Sequence, residues 1–169
     1  MKRIIFILAA TLLAVSANAQ KTTLSTEITS GKYSTMTMNC NLITVLQEDI
    51  ETGSRSGYLR VFLGGSGIMD INAIKREELD KLVTFLNYGK NKLIQTTPEN
   101  TTMAYFSAAS ECSVQFTYDT MAIKKNWAIV IKTNYIEKAA AISLGVKELD
   151  SLIKCIEDSI AQIDSFVSK

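Results

Sequence analysis

The sequence predicts an α+β fold: a tandem duplication of a β-β-β-α unit, forming antiparallel sheet with two helices packed on one face. Three observations carry this expectation. The segment Glu78-Leu79-Asp80-Lys81-Leu82 recurs seventy positions later as Glu148-Leu149-Asp150-Ser151-Leu152. Around it, Val83 and Leu86 align with Ile153 and Ile156, and Ile74 with Leu144, so the apolar positions of a helix recur with it. Upstream, Leu59 and Val61 match Ile129 and Ile131 at the same offset. An even offset keeps an inward-facing strand residue inward, which a chance match need not respect.

The first nineteen residues read as a secretory signal peptide. Lys2 and Arg3 form a basic start, Ile4 to Val15 an apolar core, and Ala17-Asn18-Ala19 an A-x-A cleavage site before Gln20. The apolar run is shorter than the roughly 18–20 residues a membrane span requires. Cleavage is therefore expected, with no transmembrane segment remaining, and the chain is expected to be exported, either periplasmic or secreted. Residues 20–169 have the length of one domain, enough to bury a core without disulfides. Loss of Lys2 and Arg3 takes the formal charge from +1 to −1. That balance gives no steering toward nucleic acid or an anionic membrane.

The polar stretch from Gln20 to about Ser30 is expected to be a disordered lead-in or an edge strand. The first repeat, about 31–89, opens with Met36, Met38, Cys40 and Leu42 alternating with polar residues, a strand with one buried face. A Gly/Ser-rich turn, Thr52 to Gly57, leads to a strand at Tyr58–Leu63, and a short strand at Ile68–Ala73 runs into the helix. There Leu79, Leu82, Val83 and Leu86 make one apolar stripe, and Gly89 is placed to end it as a left-handed C′ residue. Residues 90–101, with the only proline, Pro98, read as a linker.

The second repeat, about 102–167, follows the same plan. Ala104, Phe106 and Ala108, then Cys112, Val114, Phe116 and Tyr118, alternate with polar partners. A basic turn around Lys124-Lys125-Asn126 precedes a strand at Trp127–Thr133, and a strand at Lys138–Ser143 leads to a helix, for which Gly145 is a candidate N-cap. Its stripe, Leu149, Leu152, Ile153, Ile156, Ile160 and Ile163, runs on to about Phe166. Neither repeat can bury both its sheet and its helix alone, so a single domain made of both is expected.

The chain has no histidine, which removes Ser-His-Asp and Cys-His mechanisms and histidine-ligated metals. Gly64-Gly65-Ser66-Gly67 follows a strand but lacks the lysine and Ser/Thr of a phosphate loop, so it reads as a tight turn. Glu78 and Asp80, like Glu148 and Asp150, sit two apart on a helix and point about 200° apart. They read as first-turn acids that complement the helix dipole. Cys40, Cys112 and Cys155 lack C-x-x-C spacing. Export would permit a Cys40–Cys112 disulfide, since the two occupy comparable places, but burial as small apolar side chains is the preferred reading. No catalytic, cofactor-binding or metal-ligating residue is predicted, and no cofactor.

Ala141-Ile142-Ser143-Leu144, leading into Glu148 and a Leu-rich helix, resembles the strand-to-helix junction of single-stranded-DNA-binding transcriptional coactivators and of the whirly proteins of similar shape. Over about a dozen residues, the resemblance implies a unit that places antiparallel sheet before a helix. Nucleic-acid binding does not carry over, because the chain lacks a concentrated basic face and has an export signal.

These readings predict a small exported binding or interaction protein without catalysis, acting through a protein partner or self-association. Phe62, Val130, Tyr58 and Arg60 lie at outward parity, a partly apolar face open to a second layer, a dimer or a ligand. The alternatives are a carrier of a small apolar ligand lined by Met36, Met38, Met103 and Met121, and a histidine-free hydrolase using carboxylates or a Ser-Lys pair.

Overall fold

A computed structural model describes residues 22–65, 68–122, 125–133 and 140–169. The predicted signal peptide lies outside these residues. Each half of the chain forms a four-stranded antiparallel sheet followed by a helix. Sheet A has the order β1 (Thr23–Ser34), β2 (Asn39–Asp49), β3 (Arg55–Gly65), β4 (Ile68–Lys75), and leads into α1 (Arg76–Tyr88). Sheet B has the order β5 (Thr102–Ser107), β6 (Cys112–Tyr118), β7 (Trp127–Thr133), β8 (Ala140–Gly145), and leads through the single turn Val146–Glu148 into α2 (Leu149–Val167). The α+β duplication is as expected, and each unit carries four strands. The polar lead-in is the first of them, an edge strand.

The predicted inward positions of β3 and β7 are buried, whereas Met36, expected on the same kind of face, lies exposed in the bend before β2, and Met38 is only half-buried. Leu59 and Ile129 are both 0% exposed, and Val61 and Ile131 are both 2%. Leu79 and Leu149, the recurring helix anchors, are likewise buried. In β1 the alternation is broken by a bulge at Ser30: Thr29 pairs with Ile43, but Gly31 pairs with Leu42. Ile28 and Tyr33 therefore share the inner face despite their odd spacing, because one extra residue flips the parity.

The helices are exchanged between the halves. α2, from the second half, lies on sheet A. A Cβ at Gly31 of β1 would sit 2.8 Å from Cys155 Sγ, and one at Gly57 of β3 would sit 2.9 Å from Ile163. α1, from the first half, reaches sheet B. The Phe85 ring packs against Phe116 at 5.4 Å and Phe106 at 6.3 Å between centroids, both tilted. Glu78 Oε2 accepts the Lys75 N–H (3.2 Å) in the first turn of α1, while its Oε1 accepts the Ala109 N–H (2.8 Å) from the β5–β6 turn. One carboxylate thus caps its own helix and ties it to the other half's sheet.

Equivalent positions in the two halves exchange large for small. Register equates Leu46 and Gly57, a cross-strand pair, with Tyr118 and Trp127. Gly57 leaves room for Ile163 of the longer α2. Where the shorter α1 stops, Tyr118 and Trp127 fill the space, ring against ring at 5.5 Å, and Trp127 Nε1 donates to Thr96 O (2.9 Å). Thr44 of β2 and Ser159 of α2, both fully buried, correspond to Phe116 of β6 and Gly89 at the end of α1.

Gly89 therefore has a different role from the one its sequence position suggests. Its φ of −56° and ψ of −48° are right-handed helical. The helical path continues through a wider turn, Gly89–Leu93, closed by the Ile94 N–H on Gly89 O (3.1 Å). Glycine stands here because a Cβ would overlap the Phe116 ring. Part of the expected linker therefore belongs to the core, where Leu93 and Ile94 pack half-buried. Gly145 does cap a helical turn, but a 3₁₀ one, and the α-helix proper begins at Leu149.

The two helices run antiparallel, pinned at both ends by ions. Arg76, at the start of α1, bonds both oxygens of Asp164 near the end of α2 (2.7 Å each) and also Asp80 (2.7 Å). Lys90, just past α1, meets Asp150 at the start of α2 (2.8 Å). The guanidinium holds the Asp164 carboxyl below its usual range.

Two outcomes follow. Gly89→Ala overpacks the Phe116 contact and is expected to lower stability by about 1–3 kcal/mol in denaturant titration, although alanine is the better helix former. Asp164→Asn is expected to lose at most about 1 kcal/mol at neutral pH, the range of exposed pairs. Because the folded carboxyl has the lower pKa, that stabilisation exists above the unfolded value. The gap between wild type and variant should close as pH falls below about 4.

Candidate interaction surface

The helices and the facing half cover one side of each sheet, so the other side of each faces outward. On sheet A the outward residues of β3 are Tyr58, Arg60 and Phe62, set opposite Val45, Ile43 and Asn41 of β2 and opposite Lys75, Ala73 and Ile71 of β4. Strand alternation places them there, as the sequence predicts. Arg60 pairs with Glu27 of β1 and donates to Tyr58 Oη (3.3 Å), and these contacts raise its pKa. Val45, between Glu27 and Tyr58 in the register, is fully buried although it lies on this outer side.

Beyond that ion pair the face is apolar and open. Met69 is 73% exposed and Ile71 53%, beside a half-buried Phe62. A shallow groove of 540 Å³ runs here, lined by Lys32, Ser34, Asn39, Asn41, Phe62 and Met69 among others. Val130 also faces outward, but on sheet B, opposite Gln115 and Ser143. Phe62 and Val130 thus belong to two separate faces. That of sheet B carries the exposed Met103 and Tyr105 and a groove of 430 Å³ with Gln115 and Lys132.

The acids singled out by the repeat do not converge. Glu78 is a cap and a cross-sheet tie, Asp80 pairs with Arg76, Asp150 with Lys90, and Glu148 lies 3.8 Å from Lys147. Sequence reasoning passed over Asp70, an inward residue of β4 that is 5% exposed and whose Oδ2 has no hydrogen-bond partner. Its alternation with Met69 and Ile71 is the signal that would have found it. Gly64 and Gly65 end β3, while Ser66 and Gly67 lie outside the described residues, as does Lys124 of the basic turn. Trp127 beside that turn is a core residue, 6% exposed.

The methionines do not line an interior: Met36, Met121 and Met103 are 103%, 91% and 58% exposed, and Met38 packs half-buried at the edge of the core. All three cysteines are free and buried. Cys40 and Cys112 occupy matching places, paired with Leu63 and Thr133 respectively. Burial pushes each of the three thiols up to about 12, with the neighbouring thiols adding to the effect at Cys40 and nearby acids at Cys112 and Cys155. At neutral pH they are protonated and inert as nucleophiles.

No protein-family model matches the chain, and no curated protein matches it significantly. Among the described residues no helix is long and apolar enough to cross a membrane.

A thiol titration checks the cysteine geometry. The folded chain is expected to give no rapid reaction with an aromatic disulfide reagent at pH 8, and three thiols per chain in denaturant. One thiol in denaturant would establish a disulfide in its place.

Proposed function

We propose that this chain is an exported, non-catalytic interaction protein that presents the outward face of sheet A to a protein partner. The observation that carries the reading is the open apolar strip of Met69, Ile71 and Phe62 on a rigid sheet. Covering a large apolar side chain is worth about 1.5–3 kcal/mol, so a few such residues suffice to anchor a contact when a polar rim of Lys32, Asn39 and Asn41 surrounds them. Export rests on the basic, apolar and A-x-A features of the first nineteen residues. The absence of catalysis rests on the lack of histidine and on the dispersal of the helix acids into caps and ion pairs.

Site-specific photo-crosslinking in the producing cell tests this. A photoreactive residue at Met69 or Ile71 is expected to give a discrete protein adduct, and one at Asp158, exposed on α2, none. Adducts equally strong from Asp158, or none from the sheet, would remove the reading.

A further inference from the structure

The strand edges of this molecule are unequal. β4 lies against β6, β7 and β8 of the other sheet, and β8 in turn lies against β3 and β4. β5 is an edge of only 6 residues. β1 is an edge of 12, bonded to β2 on one side and mostly exposed. Such an edge presents a row of backbone donors and acceptors to another strand.

β1 carries two charges, Glu27 and Lys32. The register places both on the outward side, opposite Val45 and Asn41, because the bulge at Ser30 lies between them. Consider a second β1 laid antiparallel, with Thr29 of one copy opposite Ser30 of the other. Glu27 then falls opposite Lys32, and Lys32 opposite Glu27. Ile28 meets Gly31 and Thr26 meets Tyr33, inner residues with inner. Ser25 meets Ser34, outer with outer. The parity flip at the bulge makes the two flanks of the strand self-complementary in charge and face, while the central Thr29–Ser30 step, where Ser30 bonds inner Thr44, sets an outer residue opposite an inner one.

We propose that a second copy of this chain adds along β1, joining two sheets A about a two-fold axis that passes between Thr29 and Ser30. The contact is isologous. Backbone pairing on either side of the bulge provides the adhesion, and the two Glu27–Lys32 pairs, each sharing its carboxylate with Arg60 of the same chain, set the register. The two outward grooves then lie on the same side of one continuous sheet. The proposal deepens the interaction reading by naming one partner and rests on that reading for its purpose, but its geometry is that of an edge and not of the apolar strip.

Charge reversal tests it on the host-processed chain, by light scattering after size exclusion. The wild type is expected at twice the chain mass. Lys32→Glu sets Glu27 against a glutamate, and Glu27→Lys sets Lys32 against a lysine. Each variant alone should self-associate about tenfold more weakly or worse, and a one-to-one mixture of the two should regain the doubled mass. Amide exchange on the unsubstituted chain should slow in β1 as concentration rises, a readout that no folding defect can confuse. A wild type at single mass with concentration-independent exchange in β1 overturns the proposal. So does a doubled mass that both variants retain, which would put the contact elsewhere. If these outcomes occur while Met69 still gives its adduct, the edge contact fails and the interaction reading stands.

Discussion

Each helix is held by the sheet of the half it does not belong to. Phe85 of α1 is wedged between Phe106 and Phe116, and Cys155 and Ile163 of α2 sit over Gly31 and Gly57. This exchange joins the two halves through shared packing. A four-stranded sheet with a helix tethered at its end has two apolar surfaces and, in one copy, no way to bury both. Crossing the helices buries all of them at once. It also brings α1 and α2 side by side, where Arg76–Asp164 and Lys90–Asp150 fasten opposite ends. Those ion pairs are exposed and weak individually, so they set alignment while the buried residues supply the stability.

The exchange also explains where the two halves differ. Exact duplicates would have the same helix lengths and the same sheet profile. Here α2 has 19 residues and α1 has 13, and the sheets differ in compensation. Gly57 is hollowed where Ile163 arrives, and Trp127 is filled in where α1 has ended. Gly89 admits Phe116, whereas Ser159 and Thr44 share the load in the matching place. Close-packed interiors tolerate volume swaps only when both partners change together.

Much of this was legible in the chain. The even offset fixed the inward face of β3 and β7, and Leu79 and Leu149 declared the buried side of both helices. Periodicity failed where geometry departs from a simple period. In β1, expected as one of two alternatives, periodicity gives no help because Ser30 inserts one residue and shifts Ile28 and Tyr33 out of step. Gly89 was misjudged because a local rule for helix ends knows nothing of a phenylalanine from another strand. Separation into two sheets was not readable either, since parity names a face but not the sheet that owns it. Phe62 and Val130 are alike in parity and lie on different surfaces.

The chemistry of the molecule follows from which polar groups the packing leaves free. Burial keeps the thiols protonated, and the repeat's acids are committed to helix ends and helix pairing. Arg60 is drawn down onto Glu27 and Tyr58 over a buried Val45, so even the outward side of sheet A is tidied at its centre. What stays uncommitted is at the margin: Met69 and Ile71 on β4, Lys32 and the long edge of β1. Inside, Asp70 Oδ2 is an exception among the described residues, buried on β4 without a hydrogen-bond partner. Strands held by cross-strand pairing on one side and by a helix beneath form a stiff platform, and stiffness lowers the entropic cost of association.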